Sequence, residues 1–318
     1  MAATLLNCPI LLAEPIPDYH KVSELSGDLI SVGSDTLAHP MKLWMQEFKR
    51  LYPDVNIQVE SKGSSTAPSA LIEGRSQIGP MSRKMKKAEI VAFVKKYGYK
   101  PTFFRVAIEA VAVYVNKRNP LHRGLTIQQL DAIFSATRKC NAKQEITTWG
   151  QLGLTGYWAN LPIKLYGRNA LSGTHSFFQT KALCNGAYKK TIHEELEAKS
   201  VIQAVSSSIN GIAYSGAELK NSDVRILALA KRIGHNFLMP SKKNTLTGQY
   251  PLTRFLYIYV NIAPNQLPPP LVTEFIKMIL SKTGQSLVEK AGHIPLHSKF
   301  IQRELRKWNS ITTPLLYK

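Results

Sequence analysis

Along most of this chain, the spacing of hydrophobic and polar positions switches between that of a β-strand and that of an α-helix. Short runs with β-strand spacing, such as GDLISV and VNIQVES, are each followed by a turn and then by a segment whose apolar residues have helical spacing. In the first such segment, Leu43, Trp44, Phe48 and Leu51 share one helical face. The same order recurs at SQIGPM and at PIKLYGR. Strands that alternate with helices predict an α/β fold with mainly parallel sheets.

Two longer apolar runs resemble each other, at residues 109–120 and 254–265. Each ends in Val-Asn and is followed closely by Pro, which is typical of strands buried on both faces. If both runs cross between two lobes, they act as hinges; the alternative is two ordinary core strands of one domain. Beyond them, LVTEFIKMILSKTGQSLVEKAG predicts a helix pair, or one long helix with a break near Gly284, and FIQRELRKW predicts a terminal helix.

Length, composition and charge limit the number of domains and the kinds of partner that this chain can have. The 318 residues are 44% hydrophobic, enough for a substantial core in two lobes or one large domain. Lys and Arg number 41 against 21 Asp and Glu, and the resulting formal charge of +20 favours an anionic partner or environment. The basic residues are scattered through predicted helices, and no nucleic-acid-binding motif occurs. We therefore expect a basic solvated surface and no nucleic-acid partner.

The start of the chain and the cysteines bear on its compartment. MAATLLNCPILLAEP has an apolar stretch like the centre of a signal peptide but no basic start, so we interpret residues 1–26 as an atypical or truncated signal segment. No run of about 18 apolar residues occurs, so we expect no membrane span. Cys140 and Cys184 are a candidate disulfide if the protein is exported, and two unpaired thiols are the alternative.

Four strand–turn–helix junctions combine Gly with a hydroxyl residue: GSDT, KGSST, GPMSR and ALSGT. One such turn is usually only a helix cap. Four together are more informative, because Gly lets a ligand approach the backbone, the hydroxyls donate hydrogen bonds, and the first amides of each helix lack helical partners. In open α/β sheets, ligands bind at junctions of this kind. The four turns predict a binding site for a small tetrahedral anion.

Arg168 stands four residues before the turn formed by Ser172, Gly173 and Thr174. Its guanidinium adds formal charge and a planar pair of donors, although a surface arginine is the alternative. Neither GxxxxGK[ST] nor GxGxxG occurs, which disfavours a nucleotide ligand. No nucleophile elbow, HExxH motif or close carboxylate pair occurs either. We therefore expect no enzymatic activity, no cofactor and no metal site.

Five segments in order carry a family resemblance: GSDTL (33–37), residues 63–83, YGRNALSGT (166–174), SINGIAYSG (208–216) and YPLTRFLYIYVN (250–261). Over roughly residues 27–305 the chain resembles the PstS-type phosphate-binding proteins of bacterial ABC transporters, which have the type II periplasmic binding-protein fold. The resemblance implies two lobes joined by two crossover strands, one formed by residues 27–113 with 260–318 and the other by residues 114–259. It also implies an exported, monomeric protein that closes around phosphate by hinge motion and delivers it to permease subunits.

The resemblance also implies a phosphate-binding set: Thr36, Leu37, Ser64, Ser82, Arg168, Ser172, Gly173 and Thr174. Within it, Thr36 contributes its hydroxyl, Leu37 its amide and Arg168 its guanidinium. At the position of Ser82 the best-known relatives have an aspartate that accepts the proton of hydrogen phosphate. Ser82, followed here by Arg83, carries no charge to repel sulfate.

We therefore expect another carboxylate to take over this role. Glu109 lies at the start of the first long apolar run, where a buried charge needs a reason, and it is our candidate proton acceptor. Asp35 competes with it, although Asp35 could be a simple helix cap; Arg83 is a candidate supporting residue. Many relatives have an acidic residue just after the binding arginine, where this chain has Ala170 and Leu171, so Arg168 is expected to be oriented differently.

Three other functions stay open at this point. A phosphate sensor or scavenger would bind the same anion without a transporter. A phosphatase on the same fold would need a nucleophile or metal ligands in the cleft. A receptor for another tetrahedral oxyanion would use a similar cage with different selectivity.

Overall fold

The computed structural model describes residues 15–312. Most of the candidate signal segment, including Cys8, therefore lies outside the described residues. The strands are β1 (Gly27–Val32), β2 (Val55–Glu60), β3 (Gly79–Met81), β4 (Thr102–Asn116), β5 (Leu125–Thr126), β6 (Lys164–Arg168), β7 (His193–Glu195), β8 (Gly211–Gly216), β9 (Val224–Leu227), β10 (Leu229–Ala230) and β11 (Thr253–Val260).

Helices follow most of the strands, as the hydrophobic pattern predicts. They are α1 (Ala38–Leu51), α2 (Thr66–Ile72), α3 (Lys87–Tyr97), α4 (Ile127–Phe134), α5 (Gly173–Ala182), α6 (Ala198–Ser206), α7 (Lys242–Leu246), α8 (Pro270–Leu280), α9 (Lys282–Lys290) and α10 (Ser298–Thr312). Short 3-10 helices span Asp35–Leu37, Gly150–Leu152 and Gly156–Trp158. No helix within residues 15–312 is both long enough and apolar enough to cross a membrane.

Local sequence explains where individual elements begin and end. Trp44 and Phe48 lie on the buried face of α1, at the spacing of one helical turn. The predicted helix pair is α8 and α9, and the break comes at Ser281 rather than at Gly284. Ser281 Oγ accepts a hydrogen bond from the Gly284 amide and so caps the start of α9. Gly284 packs so closely on the end of α8 that an added Cβ would lie 2.2 Å from Met278 O.

The strands form one long sheet and two short ones. The long sheet has the order β3-β11-β4-β8-β6-β7, with β9 also paired to β4. Strands joined by helices run parallel, as in β1 with β2 and β6 with β8. The pairs of β4 with β8, β9 and β11 are antiparallel. Strand β4 thus joins the antiparallel pair of β3 and β11 to the parallel unit of β8, β6 and β7 in one mixed sheet, whereas β1 and β2 form a separate parallel pair.

The two largest hydrophobic cores of the described residues lie along this sheet, beside two smaller clusters. One is built from residues 29–108 and 256–308, the other from residues 110–252. The chain passes between them once within β4 and once just before β11, where Tyr250 and Leu252 still belong to the second core. Most of β4 is buried, as expected for a strand covered on both faces. The lobe boundaries at residues 113 and 260 stay a prediction; the cores change a few residues earlier in both passages.

Candidate functional site

The turns that follow β1, β2 and β3 meet at one edge of the first core. Backbone hydrogen bonds tie them together, from Gly33 N to Glu60 O at 2.9 Å, from Gly63 N to Gly33 O at 2.8 Å and from Ser34 N to Pro80 O at 2.8 Å. The carboxyl ends of neighbouring strands are therefore held as one rigid edge. This is the place where open α/β sheets bind ligands.

Three buried serines lie at this edge. Ser82 Oγ is 3.1 Å from Ser34 Oγ and 3.2 Å from Ser64 Oγ, and the Ser82 amide donates to Ser64 Oγ at 2.9 Å. Each hydroxyl can rotate to donate to a ligand oxygen. Ser64 and Ser82 are thus brought together as predicted for one site, and Ser34 joins them.

The turn after β6 approaches the serines from the second core. Ser172 caps α5, accepting a hydrogen bond from the Thr174 amide at 3.1 Å. Gly173 lies against the opposite side, where an added Cβ would be 2.3 Å from both Ser64 Oγ and Ser82 Oγ. Thr174 Oγ1 is 3.3 Å from Thr36 Oγ1. The two cores therefore meet at the predicted binding residues, and a side chain at position 173 would displace the hydroxyls of Ser64 and Ser82.

Arg168, at the end of β6, is only 1% exposed and lies between the two cores. Its Nη2 donates to Leu196 O at 2.6 Å and its Nε to Glu195 O at 3.3 Å. Nη1 lies 2.6 Å from Asp35 Oδ2 across the cleft, but it makes no well-directed hydrogen bond to any residue between 15 and 312. Asp35 thus supplies, from the other side, the carboxylate that is missing after Arg168 in the sequence.

A second buried arginine, Arg254, lies behind Thr174. It donates from Nη2 to Thr174 Oγ1 at 2.8 Å and from Nε to Glu109 Oε2 at 2.7 Å. Its guanidinium also lies over the ring of Phe177, 5.1 Å from the ring centre. Nη1 of Arg254 is buried and has no hydrogen-bond partner in the described part of the chain. Glu109 is therefore bound by Arg254, which lies between Glu109 and Thr174.

Two of the predicted residues have other contacts. The Leu37 amide donates to Ser34 O at 3.2 Å within the 3-10 turn, so it is not free as the resemblance implies. Arg83 forms a two-pronged ion pair with Glu89, at 2.7 and 2.6 Å, and donates to Ser65 Oγ at 3.0 Å. Arg83 therefore supports the start of α2 rather than the cleft itself.

Together these groups suit a small anion. The cleft combines hydroxyl donors and the N-terminus of α5 with two arginines, Arg168 and Arg254, whose Nη1 atoms have no hydrogen-bond partner within residues 15–312. Asp35 adds one negative charge beside them, which favours an anion that carries a proton.

Comparison with known proteins identifies the family. A model of the PBP superfamily domain matches residues 21–283. The phosphate-binding protein PstS of Pseudomonas aeruginosa is 53% identical over 292 residues, covering 92% of this chain and 90% of that protein. The chain belongs to the PstS-type family of phosphate-binding proteins.

Solved structures show the fold of the family. A candidate phosphate ABC transporter substrate-binding protein from Clostridium perfringens, solved with bound phosphate, matches with a TM-score of 0.71 and 24% identity, over 85% of this chain and all of that one. An ABC-type phosphate transport receptor from Vibrio cholerae matches with a TM-score of 0.67 and 20% identity, over 84% of this chain and all of that one. The predicted two-lobed α/β fold of PstS-type proteins is confirmed.

Sequence reasoning missed two residues of this PstS-type cleft. Arg254 lies in the apolar run LTRFLYIYV, and the argument that selected Glu109, a charge in a buried strand, applies to it equally. Ser34 belongs to the GSDT turn, but nothing in that turn says which of its hydroxyls faces the cleft.

Cys140 and Cys184 are joined by a disulfide, with their Cα atoms 5.2 Å apart. Cys140 belongs to the loop after α4, and Cys184 follows the end of α5. The bond thus holds α5, whose first turn carries Gly173 and Thr174, against the second core. This arrangement is compatible with an oxidising compartment.

Proposed function

We propose that this protein binds inorganic phosphate in the cleft between its two cores and passes it to the permease of an ABC transporter. The buried guanidinium of Arg168 carries the proposal. Two carbonyls fix it from behind, and its Nη1 is turned toward Asp35 beside the hydroxyls of Thr36 and Thr174. A fixed, desolvated guanidinium amid hydroxyl donors is suited to a dehydrated oxyanion. The names of the relatives support phosphate as that anion.

Selectivity is assigned to Asp35 rather than to Glu109. Oδ2 of Asp35 is 2.6 Å from Arg168 Nη1, and Oδ1 is buried without a hydrogen-bond partner among the described residues. A free carboxylate oxygen at this point accepts the proton of hydrogen phosphate and repels sulfate, which has no proton to give. Oε2 of Glu109 is already bound by Arg254. This reverses the order of the two candidates taken from the sequence.

The proposal includes a non-enzymatic, exported and monomeric protein that works by hinge closure. Closure brings Asp35 and Thr36 of one side to Arg168 and Thr174 of the other, and the passages of the chain at β4 and before β11 serve as hinges. The net charge of +20 favours the approach of anions, within the roughly 8–10 Å that salt screening allows.

Calorimetry with phosphate, sulfate, arsenate and molybdate tests this function. We expect one phosphate per chain with micromolar or tighter affinity and weaker binding of sulfate. A chromogenic phosphate ester, incubated with the same preparation, should not be hydrolysed. If phosphate does not bind at micromolar concentrations, or if the ester is turned over, the proposal fails.

A further inference from the structure

Three potential metal ligands meet behind the cleft, although they are far apart in the sequence. Glu109 is on β4, Glu218 is in the turn after β8, and His293 follows α9. One carboxylate oxygen from each glutamate and one ring nitrogen of His293 lie within 4.8 Å of one another. No sequence motif indicates such a site, because each ligand comes from a different strand, turn or helix end.

The atoms in this cluster lack partners of the usual kind. Glu109 Oε1, Glu218 Oε2 and His293 Nδ1 are all buried, and none has a hydrogen-bond partner within residues 15–312. Glu109 and His293 are 3% and 5% exposed. Buried polar atoms without partners are costly, and a cation held by the three side chains offsets that cost.

Local packing brings the two carboxylates together. An added Cβ at Gly216 would lie 2.2 Å from Glu218 Oε2 and 2.6 Å from Glu109 Oε1, so glycine leaves the room that both carboxylates occupy. His293 Nε2 lies 3.2 Å from Thr36 O. A ring nitrogen facing a carbonyl must carry the proton, so Nδ1 is left with its lone pair, as in many metal-bound histidines.

We propose that Glu109, Glu218 and His293 bind one divalent transition-metal ion, Zn²⁺ or Mn²⁺. Two carboxylates and one neutral imidazole match the ligands these ions take, whereas Mg²⁺ and Ca²⁺ prefer sites made of oxygen alone. The local charge also fits, because the cluster has two carboxylates and Arg254 forms an ion pair with one of them, Glu109. A proton shared by the carboxylates is the competing occupant, since burial and the charge of Glu109 raise the pKa of Glu218. A proton bridges only two atoms, however, and leaves His293 Nδ1 unpaired.

The three ligand residues line a cavity of about 280 Å³, although their unpaired atoms are themselves buried. The cavity wall also includes Pro240 and Gly292 and the exposed ion pair of Lys242 with Glu289. Three protein ligands leave room for water to complete the metal coordination. The cavity supplies that water.

The position of the cluster gives the metal a structural role for the cleft. His293 contacts the carbonyl of Thr36, and Glu109 holds Arg254, which contacts Thr174. Glu218 follows β8 on the side of the second core, whereas His293 follows α9 on the side of the first core. A metal ion therefore ties the two sides together behind the anion site, and it does so whether or not phosphate is the ligand in front.

Metal binding can be measured without any anion ligand. Protein free of an affinity tag is stripped with a chelator, exchanged into phosphate-free buffer and titrated with Zn²⁺ or Mn²⁺ by calorimetry, with the bound metal counted by mass spectrometry. We expect one metal per chain and a melting temperature that rises with added metal. Glu218→Gln and His293→Gln should each weaken binding by more than ~100-fold, beyond the usual cost of losing a supporting partner.

Glu289→Gln is the matched control, because it removes a carboxylate from the same cavity without touching the cluster, and it should bind metal like the original chain. Visible absorption of the Co²⁺-loaded unmodified protein should show mixed nitrogen and oxygen ligation, a readout that needs no variant to fold. The proposal is overturned if neither ion binds below about 100 µM. It is equally overturned if Glu218→Gln and His293→Gln, folded by circular dichroism, retain the binding.

Discussion

Two buried arginine–carboxylate pairs lie near Thr36 and Thr174, one across the cleft and one behind it, and they join different parts of the fold. Arg168 and Asp35 come from different cores and meet across the cleft at 2.6 Å. Arg254 and Glu109 face each other as cross-strand partners of β11 and β4, also at 2.6 Å. The first pair depends on closure of the cleft, whereas the second is fixed by strand register and persists when the cleft opens.

The difference shows how one kind of ion pair serves two purposes. A pair across a cleft can exchange its carboxylate for a ligand oxygen, so its guanidinium is available for binding. A pair inside a sheet neutralises a buried charge and positions Thr174 through the second arm of Arg254. We therefore expect changes in the first pair to alter affinity and changes in the second to alter stability.

The largest effect should come from breaking the pair within the sheet. Arg254→Met leaves Glu109 buried and uncompensated, and we expect the free energy of unfolding to fall by about 3–5 kcal/mol. Urea unfolding in chelator-containing buffer measures this. The double variant Arg254→Met/Glu109→Gln should regain most of the loss, because it removes both charges together. A single-variant cost below about 1 kcal/mol would mean that the pair is not buried as described.

The pair across the cleft should respond in affinity instead. Arg168→Lys keeps the charge but loses the planar fork, and we expect phosphate binding to weaken by about 30-fold, or roughly 2 kcal/mol. Stability should change by less than about 1 kcal/mol. The control is Arg75→Lys, a conservative change at an exposed arginine on the same protein. Equal affinities for Arg168→Lys and the original chain in calorimetry would remove Arg168 from the binding site.

The same contrast explains what sequence reasoning could and could not find. Arg168 and the hydroxyl turns were predicted because each junction is a local pattern that folds as a unit. The Asp35–Arg168 contact was not, because its partners come from different cores and only closure brings them together. Arg254 was missed although its buried strand position was visible, since the register of β11 on β4 decides that it faces Glu109.

The two carboxylates can be separated by their effect on selectivity. Asp35→Asn should lower the preference for phosphate over sulfate by about tenfold, or roughly 1.4 kcal/mol, because the repulsive charge and the proton acceptor are both lost. Glu109→Gln should leave this ratio nearly unchanged. Competition calorimetry with both anions gives the ratio. If Glu109→Gln shows the larger change instead, the assignment from the sequence was right and ours is wrong.

The smallest effect concerns His175, which follows Thr174, the residue that contacts Arg254 and Thr36. Burial, and next the charge of Lys86, lower the pKa of His175 to about 4, and the half-exposed Glu194 carboxylate, 3.8 Å away, is too solvated to offset this. The unfolded chain binds a proton near pH 6.5, so neutral His175 contributes its full stability above that pH and loses it as the pH falls toward 4. Because the ring is partly exposed, we expect only about 1 kcal/mol between pH 7 and pH 4.5. His175→Gln should remove this part of the pH dependence in urea unfolding. An identical pH dependence in both proteins would show that the ring is not held neutral beside Thr174.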